Sequence, residues 1–349
     1  KESRCWMDHV VKLLQSRGHS LDVDWVDRLR YVHATRALAA LAVFTFTKNY
    51  VGQPVQCWVP NEMSGGWETY IEQYCLIENT YFTPMNESNI PARNTREERE
   101  MIYYQWVPFI LLLLSAALYA PRVAWRSFQK HSGVDLSAMA IELRKAARDL
   151  SIAPKQMPIN RGFLQRRLAV FLVLHKTISV AVIVVLLALL DHFLGRAFAV
   201  RMAGNVIAGR PWQETGVFPR VTFCDVQVRQ IGEAVHTYTV QCVLMVNMLN
   251  EKIFFGVWWF LFFLAILSIV NILMWAQFLL SSRRRFELVA ALFDSRDTSI
   301  APFQLEAFAN NVLGVNGAAL LRLVAKNASV FETEAVARPI LDEYLEVGQ

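Results

Sequence analysis

Charge is what this sequence has least of. Only 19% of its 349 residues are Asp, Glu, Lys or Arg, against roughly 25% in an ordinary soluble domain. From Phe254 to Leu280 there is no charge at all over 27 residues. A soluble chain of this length could bury a core without such a run, so a purely soluble globular protein is excluded. Convergent titratable groups are also lacking. His175, Asp191 and His192 are spread along one apolar stretch, whereas a membrane enzyme needs its groups brought together. No enzyme, no cofactor and no metal site is therefore expected. Lys1 to Arg30 is polar and mixed in charge and lacks the apolar core of a signal peptide. The chain opens on Lys rather than Met, so further residues are expected upstream. Internal repeats and low-complexity tracts are missing. Cysteine is scarce, at five.

What is present is apolar and aromatic. Hydrophobic residues make up 54% of the chain, and its mean hydropathy is +0.27. The net charge is +5, with a pI near 9.0. A basic balance often means nucleic acid, but here the charge is segregated by loop, which indicates membrane topology and no nucleic-acid partner. Tyr103-Tyr104-Gln105-Trp106-Val107-Pro108 stands directly before the apolar run Phe109 to Leu114. Tyr103, Tyr104 and Trp106 there read as a membrane-interface belt, ring body in lipid and polar tip in water. Pro108 suits the first turn of a helix, where its missing N–H costs nothing.

Taken in order, residues 1–30 lead into the membrane. Met7, Val10, Val11 and Leu14 fall on one face of a short amphipathic helix that Gly18 would end. Spacing alone favours a surface helix over an element folded into a channel mouth. The first span is 31–51, long enough at about 1.5 Å per residue to cross roughly 30 Å. His33, Arg36, Thr47 and Lys48 share one of its faces, with Ala40 and Val43 between them. Such residues line water or snorkel towards the ends, and the residues alone leave both readings open.

Residues 52–105 form the first external loop, with eight acidic residues and three arginines over 52–102. Asn86-Glu87-Ser88 in it is a glycosylation sequon. The second span is 106–125, and Pro121 should kink it. The cytoplasmic loop, 126–167, is basic: over 122–167 there are ten basic residues against three acidic, a cytoplasmic signature. Ile141 to Leu150 reads as helical, and the basic run could also meet anionic lipid. The third span is 168–194, where snorkelling or pairing between helices explains His175 and Lys176. A second external loop covers 195–253, and the fourth span is 254–281. Ser281-Ser282-Arg283-Arg284-Arg285 stops that span on the cytosolic side. Residues 282–349 form a helical cytoplasmic domain, with helices over Phe303–Ala309 and Ala318–Ala325 joined by a Gly314–Gly317 turn.

Four of the five cysteines lie in the two external loops: Cys57 and Cys75, then Cys224 and Cys242, each pair 18 residues apart. Cysteines in an oxidising compartment read as disulfides, and four allow three pairings. Cys57 and Cys242 should lie near the membrane, and Cys75 and Cys224 further out. Height matching favours Cys57–Cys242 with Cys75–Cys224. One bridge within each loop remains the alternative. Cys5 is expected to be a free cytosolic thiol.

Tyr103-Tyr104-Gln105-Trp106-Val107 resembles the signature of the innexins, the invertebrate gap-junction proteins related to pannexins. The likeness extends to Tyr50-Val51-Gly52 with Pro54, Gln56-Cys57-Trp58-Val59-Pro60, Gln73-Tyr74-Cys75, Asn79-Thr80-Tyr81, Phe218-Pro219-Arg220, Cys224-Asp225, Val240-Gln241-Cys242 and Asn250-Glu251-Lys252. It covers about Asp24 to Leu280. The resemblance implies an all-α membrane protein, a four-helix bundle with two disulfide-clipped external loops carrying some β structure, and both termini cytoplasmic. It implies a subunit that self-assembles into a ring, typically of eight, in the plasma membrane and its gap junctions. The ring would pass ions and small metabolites passively and dock with a second ring through the loops. It also implies an N-terminal segment folded into the pore, which assigns Met7, Val10, Val11, Leu14, His33, Arg36, Ala40 and Thr47 to the pore lining. Membrane lipids are the remaining expected partners. A non-conducting tetraspan adhesion or scaffold protein is the alternative. The two are separated by whether the first helix and the N-terminal segment line water.

Overall fold

The structure is a computed structural model that describes residues 24–61, 63, 65–83, 91–132, 161–195, 197–209, 217–229, 235–293, 300–327 and 330–347. Met7, Val10, Val11 and Leu14, the thiol Cys5, the sequon Asn86 and the stretch Ile141–Leu150 lie outside the described residues.

The chain begins as α1 (Trp25–Arg28), passes through a π-helical stretch, Leu29–Ala34, and continues as α2 (Thr35–Tyr50). The first loop contributes β1 (Val55–Trp58), α3 (Gly65–Ile77), β2 (Thr80–Tyr81), α4 (Arg93–Arg96) and β3 (Glu100–Met101). Then come the long helices α5 (Tyr103–Ser132) and α6 (Arg161–Leu194). The second loop supplies α7 (Phe198–Ile207), β4 (Val221–Arg229) and β5 (Val235–Leu244), and runs straight into α8 (Met245–Leu280). The tail is α9 (Ser282–Phe293), α10 (Pro302–Ala307) with a π-helical extension Phe308–Val312, α11 (Gly314–Ala325) and α12 (Val330–Val347).

Among the described residues, three helices are long and apolar enough to cross a membrane: Tyr103–Phe128, Leu168–Leu194 and Met245–Leu280. Each belongs to a helix that overruns the span expected from hydropathy. Backbone hydrogen bonds do not stop where the apolar run stops, and polar residues at the overrun find protein partners. Asn247, at the start of α8, is fully buried and donates to the Pro219 carbonyl at 2.8 Å. Pro121 does not end α5, which continues to Ser132. Beside it, the Leu118 carbonyl takes an extra bond from Arg30 Nη1 at 3.1 Å. The first expected span, 31–51, is different. Its α-helical part is 16 residues long and carries Arg36 and Lys48. A bent pair in the tail, Pro302–Val312 with Gly314–Ala325, turns through 104°. Leu305, Phe308 and Leu321 of that pair pack with Val289, Phe293 and Leu341 in a core of their own, as in a globular domain. The bend falls at Leu313-Gly314, where Gly314 has φ +59°. Gly317, expected in the turn, is already helical.

The chain divides into two compact units, and the division falls inside the long helices. One unit comprises 1–36, 117–183 and 264–349. Its core joins Tyr31, Trp125, Leu172, Trp275 and Phe278 to Ala318, Ala319 and Leu323 of α11. The other comprises 37–116 and 184–263 and holds both loops. Its five strands are ordered β1-β5-β4-β2-β3, with every pairing antiparallel. Strands from the first loop lie at both edges of the β4–β5 hairpin from the second, so neither loop can form this sheet alone.

Candidate functional site

In the loop unit, β1 and β5 pair so that Cys57 stands directly opposite Cys242. Directly opposed residues are the pairs in a sheet whose side chains approach most closely. The two Cα atoms are 4.0 Å apart and the sulfurs are bonded. Cys75, near the end of α3, is bonded to Cys224 in β4, with Cα atoms 5.8 Å apart. All four cysteines are buried, among Val55, Ile71, Tyr104, Val226 and Leu244. The Cys57, Cys75 and Cys242 sulfurs lie within 4.8 Å of one another. Each is consumed in a disulfide, so they offer no thiolate to a metal.

A third fastening between the loops is ionic. Asp225 of β4 accepts from Arg96 Nη1 at 2.6 Å, from Thr239 Oγ1 at 2.7 Å and from the Tyr81 hydroxyl at 3.3 Å. Arg96 and Tyr81 come from the first loop, Asp225 and Thr239 from the second. Burial, and then the Asp225 carboxylate, push the Tyr81 phenol up to about 12, so it stays a donor at every physiological pH. The guanidinium of Arg96 is raised, chiefly by its bond to Asp225.

The aromatic motif that opens α5 also serves the loops. Tyr104 is fully buried, and its hydroxyl donates to the Cys75 carbonyl at 3.2 Å. Gln105 Nε2 donates to the carbonyls of Leu76 at 2.6 Å and Ile77 at 3.1 Å. These are carbonyls at the end of α3, which has no further turn to satisfy them. Asn79, at φ +74°, supplies the left-handed turn just beyond and binds Gln105 as well. Tyr103 packs edge-on to Phe193 and Phe218. Of the three aromatic residues read as an interface belt, Trp106 stands outward and Tyr104 does not. Hydropathy could not separate them, because both fit the same slot in a pattern.

In the first helix, Leu38, Ala42, Thr45 and Asn49 form the buried edge. Asn49 Nδ2 donates to the Tyr104 carbonyl at 3.0 Å. His33, Ala40, Val43, Thr47 and Lys48 are exposed, and Arg36 is half-buried. His33, Ala40 and Thr47, expected to face a pore, are thus little packed, as are Val43, Phe44 and Phe46 of the same helix.

Sequence reasoning did not assemble one further group. Lys176 Nζ, buried, donates to Asp24 Oδ2 at 3.0 Å and to Asp27 Oδ2 at 2.9 Å. Arg30 Nη2 pairs with Asp27 at 3.5 Å, and His175 Nε2 lies 4.0 Å from the same carboxylate. Trp275 Nε1 donates to Asp24, and Lys326 Nζ is 3.6 Å from it. The Arg122 guanidinium lies over the Tyr31 ring at 4.8 Å. Burial alone would raise the Asp27 carboxyl, but Lys176, His175 and Arg30 override it and hold it at about 2. The available signal was a lysine inside an apolar span, which must find a partner. Which carboxylates would meet it was not written in the spacing. His192 is exposed, and Asp191 accepts from the Ala197 backbone N–H at 3.0 Å. Neither joins the group around His175 among the described residues.

Long apolar helices and two loops bonded to each other at two places define a helical, multi-span membrane protein with disulfide-clipped loops. Known proteins narrow this further. The family model described as Innexin matches residues 23–344. Innexin-17 of Caenorhabditis elegans is 39% identical over 345 residues, covering 93% of this chain and 95% of the relative. Innexin-16 of the same organism is 38% identical over 328 residues, covering 90% and 88%. Innexin unc-9, also from C. elegans, is 31% identical over 370 residues, covering 96% of each. The chain belongs to the innexin family of gap-junction proteins.

Proposed function

We propose that this chain is a subunit of a large-pore gap-junction channel or hemichannel that passes ions and small metabolites passively. The subunits assemble as a ring, taken as eight, in the plasma membrane, and two rings dock through the disulfide-clipped loops. Both termini and residues 126–167 are cytosolic, and Asn86 is external. The observation that carries this reading is the first helix. One edge is buried in the subunit, while His33, Ala40 and Thr47 are exposed. A polar face on a membrane helix is costly against lipid and suits a water-filled path. The pore lining is completed by Arg36 and by the N-terminal residues Met7, Val10, Val11 and Leu14. The cross-linked loops suit docking, since a surface that meets its copy on another cell gains from being held in one shape.

The test is cysteine substitution at His33, Arg36, Ala40 and Thr47 in channels recorded from single membranes, followed by an aqueous thiol reagent. Conductance should change at each position. Modification confined to outward positions of α5 or α8, such as Leu113 or Leu273, would overturn the pore assignment. A protein that reaches the surface, assembles and never conducts would instead be an adhesion or scaffold protein.

A further inference from the structure

A cleft of about 590 Å³ opens where α8 ends, lined by Phe278, Ser281, Arg283, Arg284, Glu287, Leu288 and Arg322. Its charge is unbalanced. Glu287 is paired with Arg283 at 3.2 Å. Among the described residues, no carboxylate comes within ion-pairing distance of Arg284 or Arg322. Arg322 is held in place rather than free to swing away. Its guanidinium lies 4.1 Å from the Phe278 ring centre and 4.8 Å from that of Trp275, and Nη1 donates to the Met274 carbonyl at 3.3 Å. Burial, the larger effect, lowers the Arg322 guanidinium from its ordinary value, and repulsion from Arg284 adds to this against the pull of Asp24. The arginine fork matches phosphate oxygens better than it matches water.

We propose that this cleft is a binding site for a phosphate-bearing anion, and that the anion is the headgroup of a membrane lipid. The lipid source follows from what adjoins the cleft. Leu267, Val270 and Met274 of α8 are exposed and lie about one turn apart on the stripe that leads to Phe278 and Ser281. An acyl chain can lie along that stripe while its phosphate sits between Arg284 and Arg322. Basic residues directly after a span are the usual place for an anionic headgroup. Arg285 is not part of the site. It is buried and donates to the Leu279 carbonyl at 2.7 Å and to Asn310 Oδ1 at 3.2 Å, so it joins the tail to the end of α8.

The site does not depend on the channel reading, and its test reads binding rather than conductance. The full chain, purified in detergent, is titrated with phosphatidylinositol bisphosphate, with phosphatidylcholine as the neutral control and soluble inositol trisphosphate as the headgroup alone. Bound lipid is counted by native mass spectrometry. The wild type should retain the anionic lipid over the neutral one. R284Q should weaken it roughly ten-fold, as expected for one lost charge-assisted contact, and R284Q/R322Q should abolish the preference. R229Q, which removes an exposed arginine of β4 outside both the cleft and the basic 126–167 run, should bind as the wild type does. Arg322 also packs on two rings, so R284Q, which leaves that packing intact, keeps the test valid if the double variant misfolds. Equal lipid retention by the wild type and R284Q would overturn the site, as would an equal loss in R229Q. Binding of soluble inositol trisphosphate as tight as the lipid's, and lost in R284Q, would keep the anion site and overturn its lipid source.

Discussion

Lys176 is an ammonium group with almost no access to water, tied to two carboxylates at 3.0 and 2.9 Å. Removing one member of a buried pair leaves the other uncompensated, which costs roughly 3–5 kcal/mol. Lys176→Met should therefore lower the thermal midpoint of the detergent-solubilised protein by several degrees, while substitution of exposed His192 should not. Asp27 supplies a pH test. Its folded value of about 2 lies below the ordinary 3.8. A depressed carboxyl contributes stability that is fully present above its unfolded value and is lost as pH falls through its folded value. The shift is worth about 2 kcal/mol, the contribution being lost between roughly pH 4 and pH 2. Asp27→Asn should be less stable at pH 7 and should lose less than the wild type on acidification over that window, read as the unfolding midpoint against pH.

Among the elements, the sheet shows how much each loop depends on the other. β1 hydrogen-bonds to β5 and β2 to β4, so each loop completes the other's strands. Each disulfide also crosses between the loops. A bridge closing a long loop is typically worth about 2–4 kcal/mol. Cys57→Ser and Cys242→Ser should lower stability alike. The double variant should be little worse than either single, because both remove the same bond. Peptide mapping without reductant tests the pairing directly, and a Cys57–Cys75 peptide would contradict it. Asp225→Ala removes three acceptor contacts without touching a cysteine. It should loosen the loops by roughly 1.5–3 kcal/mol, measured as faster amide exchange over 221–229 and 235–244. The aromatic start of α5 was legible in sequence as a landmark. Its function in satisfying the carbonyls that end α3 was not, because that required the end of α3 to lie beside it in space.

For the whole molecule, the loops and the spanning helices are expected to fail separately. Weakening either disulfide should abolish coupling between apposed cells at a protein level where rings still form in a single membrane. Dye transfer between cell pairs would be measured against particle images of the purified protein. The proposed orientation has its own check. In inside-out vesicles the tail, 283–349, should be cut by added protease, and its protection would reverse the topology.

The sequence by itself marked the apolar runs within α5, α6 and α8, the two cysteine-bearing loops and the family, because hydropathy and motif spacing are properties of the chain read along its length. It also marked His33, Arg36, Ala40 and Thr47 as one face, since helical periodicity is local. Tertiary structure decided which carboxylates meet Lys176, which ring of the 103–106 motif turns inward, and that Arg284 and Arg322 face the same cleft. These residues are far apart in sequence: 149 positions separate Lys176 from Asp27. A buried charge requires a partner, but only the packing of the helices selects which one.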